Sequence, residues 1–261
     1  MHIPSRQEAQ IRFFDNIYRA CVTKVKPKLP SGDPDRGTRV IETEAECEKY
    51  IAFYGGHHYH KLYAAFNSTN FAAIQSKNVE IVDWGCGQAL ATCILIDYLI
   101  ENQFDFNIVS ITLVEPSSVA LQRGCYLLRQ MFQNNSNVDS IIKIVNKYMD
   151  DLTVDDLVSE ANNIKIHLLS NIIDVDKFDL YKLYGLIVRA FSGTNRLICT
   201  SPDNERKNRL DIFYNLFAQS HQVFYSYSYD EAIRGEVFFA KSGRYEERSV
   251  GRYERQFTVR L

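Results

Sequence analysis

The stretch Val82-Asp83-Trp84-Gly85-Cys86-Gly87-Gln88-Ala89 decides how the rest of the chain is read. Residues 79–83 before it are mostly β-branched and predict a short strand, and residues 89–100 after it are almost wholly apolar and predict a helix. Glycines between a strand and a helix let the backbone take positive φ and let a ligand approach it closely. The first turn of the helix adds free N–H groups. The turn lacks the Lys-Ser/Thr of a P-loop, and Leu90 stands where a dinucleotide fingerprint needs its third glycine.

Working outward, residues 108–114 predict the next strand, which ends in Leu113-Val114-Glu115-Pro116-Ser117. An acid at that place accepts both hydroxyls of a ribose, and Pro116 stops the strand and aims the carboxylate over the sheet edge. The pattern then alternates: helix 118–132, strand 141–145, helix 153–162, strand 164–169, helix 176–191, strand 196–200. This alternation implies βαβ units and a mostly parallel sheet. Three later runs, 223–229, 236–240 and 256–261, predict an antiparallel edge. Towards the N-terminus, residues 7–26 have helical apolar spacing and 28–37 read as a loop. Residues 43–66 predict a helix opened by a Thr43/Glu46 capping box and broken at Gly55-Gly56.

Asp83-Trp84-Gly85-Cys86-Gly87 matches the D-x-G-x-G pattern of class I S-adenosylmethionine (SAM) dependent methyltransferases. With Glu115 and the strand order, the chain resembles that superfamily over residues 50–261, most sharply over 79–129. Ala89 departs from the third glycine of many members. The resemblance implies a Rossmann-like, doubly wound, seven-stranded α/β sheet, mostly parallel with an antiparallel C-terminal edge, and residues 1–49 as an N-terminal helical extension. It implies a methyltransferase with SAM as cofactor. Gly85 and Gly87 then lie under the methionine part, beside Gln88. Asp83 holds the turn and the amino group, and Glu115, followed by Pro116, binds the ribose. Met149 and Asp150, after the third strand, face adenine, and Ser170 ends the fourth strand. The helix before the first strand folds over SAM, which brings in Tyr54, with Tyr59 and Lys61 as further candidates.

The superfamily keeps its reaction-specific motif after the fourth strand, here His167-Leu168-Leu169-Ser170-Asn171-Ile172-Ile173-Asp174. The two prolines of amino-methylating DNA enzymes are missing. Asn171 is a candidate to position the acceptor and Asp174 to take a proton. The competing role is capping, with Asp174 or Asp176 starting a helix over 177–191. A sulfonium already makes its methyl group electrophilic, so in-line alignment suffices and no strong catalytic residue is required. Two alternatives use the same features: an enzyme that cleaves or rearranges SAM or a SAM-derived nucleotide, and a non-catalytic SAM-binding subunit docked through residues 7–26.

His57, His58 and His60 crowd one segment, but no cysteine or carboxylate at ligand spacing accompanies them, so no metal is predicted. The six cysteines form no CxxC pair and read as free thiols. His167 and His221 have no visible partner. The 261 residues, 46% of them hydrophobic, can bury a full core. The longest apolar run is interrupted by Asp97, so no membrane helix is predicted, and with no secretory leader in view the expectation is a cytoplasmic protein. The net charge of −2 divides into +4 over residues 1–40, −9 over 41–240 and +3 over 241–261. Lys241, Arg244, Arg248, Arg252, Arg255 and Arg260, interleaved with Tyr245 and Tyr253, suit nucleic acid as a partner, although Glu246, Glu247 and Glu254 dilute them. The methyl acceptor is thus nucleic acid, protein or small molecule, and the sequence does not indicate an oligomeric state.

Overall fold

The computed structural model of the protein describes residues 11–25, 39–132, 137–202 and 204–261. In chain order the strands are β1 (Asn78–Trp84), β2 (Asn107–Val114), β3 (Ile142–Val145), β4 (Ile164–Ser170), β5 (Thr194–Ser201), β6 (Val223–Phe239) and β7 (Arg244–Arg260). The helices are α1 (Arg19–Val25), α2 (Glu44–Ser68), α3 (Leu90–Glu101), α4 (Ser118–Met131), α5 (Val138–Ile141), α6 (Leu180–Ala190) and α7 (Asn208–Ser220). The strands form one sheet in the order β3-β2-β1-β4-β5-β7-β6. β1 to β5 pair in parallel, and β7 pairs antiparallel with both β5 and β6. The expected antiparallel strand is therefore β7, slotted between β5 and the edge strand β6, and six strands run one way.

The sheet separates two cores because successive side chains point to opposite faces. Val79, Ile81, Ile111, Leu113, Ile166 and Leu168 face α2, α3 and α4. Val82, Trp84, Leu169, Leu197 and Cys199 face α6 and α7. β1 is buried along all but its first residue, as expected of a central parallel strand. α3 is buried on nearly every side, which its largely apolar sequence permits. Its buried acid, Asp97, is satisfied by the segment ahead of α1: it accepts from the Phe13 amide at 3.0 Å and pairs with Arg12. Phe13, Ile17 and Tyr18 join the same core as α2 and α3.

Several expectations needed correction. The helix over 7–26 is a wide π-type turn, Phe13–Tyr18, followed by α1, with 7–10 and 26 outside the described residues, as is the loop 28–37. α2 runs unbroken through Gly55-Gly56, with its Thr43/Glu46 capping box formed. Those glycines seat Tyr18: a Cβ on Gly56 would lie 2.6 Å from the Tyr18 hydroxyl oxygen, and one on Gly55 3.0 Å from its ring. That oxygen accepts from the Phe238 amide at 2.7 Å, so the close approach ties α2 to β6. Residues 153–162 hold a single helical turn, Val154–Asp156, where side-chain bonds of Thr153 and Asp156 compete with a longer helix. α6 is capped by Asp179, not by Asp174 or Asp176. Asp174 instead accepts from Asn204 at 2.7 Å, and Asp176 pairs with Arg206.

The three C-terminal runs are two strands of 17 residues each; β6 is exposed over much of its length and β7 buries polar residues such as Arg252, Glu254 and Gln256, so neither shows apolar alternation throughout. All six cysteines are free and buried. Among the described residues no helix is long and apolar enough to cross a membrane.

Candidate functional site

The chain leaves β1 towards β2 and β3, then crosses back to β4 on the other side of β1. Ligands of open α/β sheets bind outside the carboxyl ends of the strands at such a reversal. A cavity of about 100 Å³ opens there. Its walls are the turn after β1 (Gly85, Cys86, Gly87, Gln88), Glu115 after β2, Ser170, Asn171 and Ile172 after β4, and Tyr50 and His58 from α2. Asp83, Leu90, Ala91, Arg39 and Ile41 complete it.

The turn is left-handed at alternate residues: Gly85 has φ +58°, Gly87 +52° and Ala89 +57°. Ala89, which departs from the glycine pattern, is thus left-handed like the two glycines, at a cost of about 1–2 kcal/mol. The two true glycines serve different ends. A Cβ on Gly85 would meet Ile172 at 2.6 Å, whereas one on Gly87 would meet nothing within 4 Å. Gly85 lets the turn pass under the β4 loop, and Gly87 faces open space on a wall of the cavity.

Asp83 is almost fully buried, and its Oδ2 accepts from the Thr92 amide at 3.2 Å and the Thr92 hydroxyl at 2.7 Å. It ties the turn to the first turn of α3, and burial pushes its carboxyl up to about 7. Glu115 closes over the turn: Oε2 accepts from the Gly87 amide at 3.1 Å and Oε1 from the Ser117 amide at 3.0 Å. Burial raises this carboxyl too, against those two hydrogen bonds. The Cys86 thiol is driven well above its ordinary value by burial and by Asp83 and Glu115, so it is not a thiolate. Gln88 donates through Nε2 to the Cys47 carbonyl at 3.0 Å, while its buried Oε1 has no partner among the described residues.

Asn171 is also left-handed, with φ +53°. Its Nδ2 lies 2.9 Å from His58 Nε2, and its Oδ1 accepts from Lys61. The Tyr50 hydroxyl reaches the same imidazole nitrogen at 3.1 Å. Burial and the neighbouring Lys61 hold His58 well below its usual range, so the ring is neutral. Tyr50, His58 and Lys61 lie on one face of α2, at intervals of eight and three residues, and this helical spacing is the signal that points from the sequence to α2 as a wall. Tyr50, Arg39, Ile41 and Ile172 were not expected in the site.

The other expected residues lie around the cavity rather than on it. Tyr54 rests on the Tyr50 ring at 5.2 Å. Tyr59 belongs to an aromatic cluster with Phe14 and Tyr63. The Pro116 carbonyl accepts from Asn146 at 2.8 Å. Met149 and Asp150 line a separate depression with Tyr181, Lys182 and Arg189. Asp174 keeps Oδ1 buried and, among the described residues, without a partner.

The three histidines diverge, His58 to Asn171 and His60 to the Glu236 carbonyl at 2.9 Å, while His57 turns its Nδ1 to neither. Among the described residues no group of three His, Cys, Asp or Glu is placed to hold a metal. His167 and His221 do have partners: Trp84 and Asn195 for the first, Tyr184 for the second. At the C-terminus, Arg252 pairs with Glu254 at 2.7 Å inside the fold, and Arg255 pairs with the partly exposed Asp211 at 2.5 Å.

No family model and no curated protein matches the chain in sequence. Solved structures do match in fold. The plantazolicin methyltransferase BpumL in complex with S-adenosylhomocysteine (SAH) superposes with a TM-score of 0.52, at 7% identity, over 94% of this chain and 99% of that one. A SAM-dependent methyltransferase from Leishmania major gives 0.46 at 9% identity, over 95% and 84% of the two chains. A precorrin-6y C5,15-methyltransferase from Geobacter metallireducens gives 0.46 at 12%, over 75% and 85%. Over almost its whole length, the chain has the fold of the class I SAM-dependent methyltransferases.

Proposed function

We propose that the chain binds SAM in this cavity and transfers its methyl group to an acceptor nucleophile. The observation that carries the reading is a convergence on one cavity at the reversal point of the sheet: a left-handed glycine turn, a strand-end carboxylate and an unpartnered buried amide oxygen. The donor set fits the ligand. Glu115 accepts from the ribose hydroxyls, with Pro116 ending the strand beneath it. Gln88 Oε1 takes the donor it lacks, the ligand ammonium. The open side of Gly87 leaves room for the methionine part, and Asp83 holds the turn through Thr92. Met149 and Asp150, in the turn after β3, serve the adenine end, Ser170 ends the opposite wall, and Tyr54 supports Tyr50.

When bound, SAM supplies an electrophilic methyl group. The protein aligns the acceptor with it and excludes water. Asn171, clamped by His58 and Lys61, positions the acceptor, and Asp174, with one carboxylate oxygen unpartnered, takes its proton. Arg252 and Arg255 are engaged within the fold, which speaks against a continuous phosphate-binding stripe at the C-terminus.

Titration calorimetry with SAM and SAH tests the reading. Saturable binding of both is expected, and Glu115→Gln should weaken SAM tenfold to a hundredfold, the size of a lost charged hydrogen bond, without lowering the melting temperature. No binding of either ligand at millimolar concentration overturns it. Transfer from methyl-labelled SAM to fractionated cellular acceptors then reads the reaction.

A further inference from the structure

One group behind the cavity wall is expensive and unexplained by cofactor binding. Lys61 is 3% exposed, in the middle of α2. An ammonium there loses nearly all its water, so a methylene-rich or neutral side chain would be cheaper unless the charge has a use. Its one hydrogen bond among the described residues goes to Asn171 Oδ1, on the cavity wall. Carboxylates face it from two other elements. Asp174, in the loop after β4, keeps Oδ1 buried and unpartnered, and Glu254 on β7 is fully buried but already matched by Arg252. From α2 itself His57 and His58 adjoin it, both held below their usual range. Across the cavity stand Asp83 and Glu115, and at its margin Arg39 pairs with Glu46.

We propose that Lys61 sets the charge of the cavity and thereby its preference between a cationic sulfonium ligand and the neutral thioether left after transfer. The proposal rests on the reading of the cavity as a SAM site. With Lys61 neutral, the buried carboxylates leave the cavity negative and favour SAM. With Lys61 protonated, its ammonium opposes the sulfonium and the two ligands bind more alike. In a low-dielectric site such a charge is felt over several ångströms and is poorly screened by salt. Burial pushes the Lys61 ammonium down to about 7, against the pull of Asp174 and Glu254, so both states are accessible near neutral pH.

SAM and SAH share the adenosine, ammonium and carboxylate, so the ratio of their dissociation constants isolates the sulfonium. Calorimetry at pH 6 and pH 8 on wild type, Lys61→Met and Lys61→Arg is the test. From pH 6 to pH 8 the wild-type preference for SAM should rise at least threefold more than in either variant. At each pH Lys61→Met should show the higher preference and Lys61→Arg the lower one, and both should share only the rise that Asp83 contributes. Asp83 titrates in the same range, but its contribution is common to all three proteins. Equal slopes in wild type and Lys61→Arg overturn the proposal, even if Lys61→Met does not fold. Failure of wild type to bind either ligand at either pH overturns the SAM reading instead.

Discussion

Adding a methyl group at Gly85 and at Gly87 should separate stability from binding. The two residues have nearly the same backbone, φ +58° and +52°. Each alanine therefore carries the same conformational penalty of about 1–2 kcal/mol for a left-handed L-residue. They differ in what the new Cβ meets: Ile172 Cδ1 at 2.6 Å and Cγ1 at 2.7 Å for Gly85, nothing within 4 Å for Gly87. Forcing a methyl group into that contact adds about 1–3 kcal/mol of overpacking. Gly85→Ala should then lose about 2–5 kcal/mol and Gly87→Ala about 1–2, read as urea midpoints at constant slope. Binding should follow a different logic. The Gly87→Ala methyl group occupies ligand space, so SAM affinity should fall tenfold or more, equal to at least about 1.4 kcal/mol, in a protein that is still well folded. Truncating Ile172 to alanine should recover part of the Gly85→Ala loss, as expected for residues in contact. Equal destabilisation by the two alanines, or undiminished SAM binding by Gly87→Ala, would refute this account of the turn.

Other perturbations test the surroundings of the site. Asp83 titrates near 7 in the folded chain against an ordinary 3.8, so the folded state holds that proton more tightly. The stability this gives is full below about pH 4 and lost as pH rises through about 7. Asp83→Asn should remove that fall and exceed wild type at pH 8 by up to about 4 kcal/mol, measured without ligand by urea unfolding at pH 5 and 8. His167 is depressed from 6.5 to about 4 by burial, so its contribution is present above about 6.5 and lost as pH falls through about 4. His167→Phe leaves the Trp84 indole N–H and the Asn195 Oδ1 without the imidazole and should cost about 2–4 kcal/mol at pH 7, a difference that narrows towards pH 4; a constant difference in melting experiments would contradict it. Glu254→Gln strips the buried partner from Arg252 and should cost about 3 kcal/mol in denaturant unfolding, and a neutral result would show that Glu231 suffices for that guanidinium.

The turn and its neighbours were legible because local chemistry dictates them. A β-branched run, two glycines and an apolar run can hardly be anything but strand, turn and buried helix, and Glu115 follows at the end of the next strand. Periodicity also marked the parallel strands, the central ones being buried on both faces and rich in apolar residues. It failed where apolar burial was not the organising force. β6 extends through exposed residues and β7 through buried polar ones such as Arg252, Glu254 and Gln256, held by cross-strand pairing that leaves no apolar pattern. Gly55 and Gly56 look like a break, yet they are contact points for Tyr18, from a segment remote in sequence.

The site divides in the same way. The glycine turn, Asp83, Gln88 and Glu115 lie within 33 residues of one another, and the strand–turn–helix geometry alone brings them together. The opposite wall is a tertiary product. Asn171 meets Lys61 and His58 across more than 100 residues, and only the packing of α2 against the sheet makes those pairs. A residue's role in the second group depends on which way a helix face turns and on what buries it. Sequence spacing could name Tyr50, His58 and Lys61 as one face of a helix, but the fold decided that this face would meet the end of β4 and close the cavity.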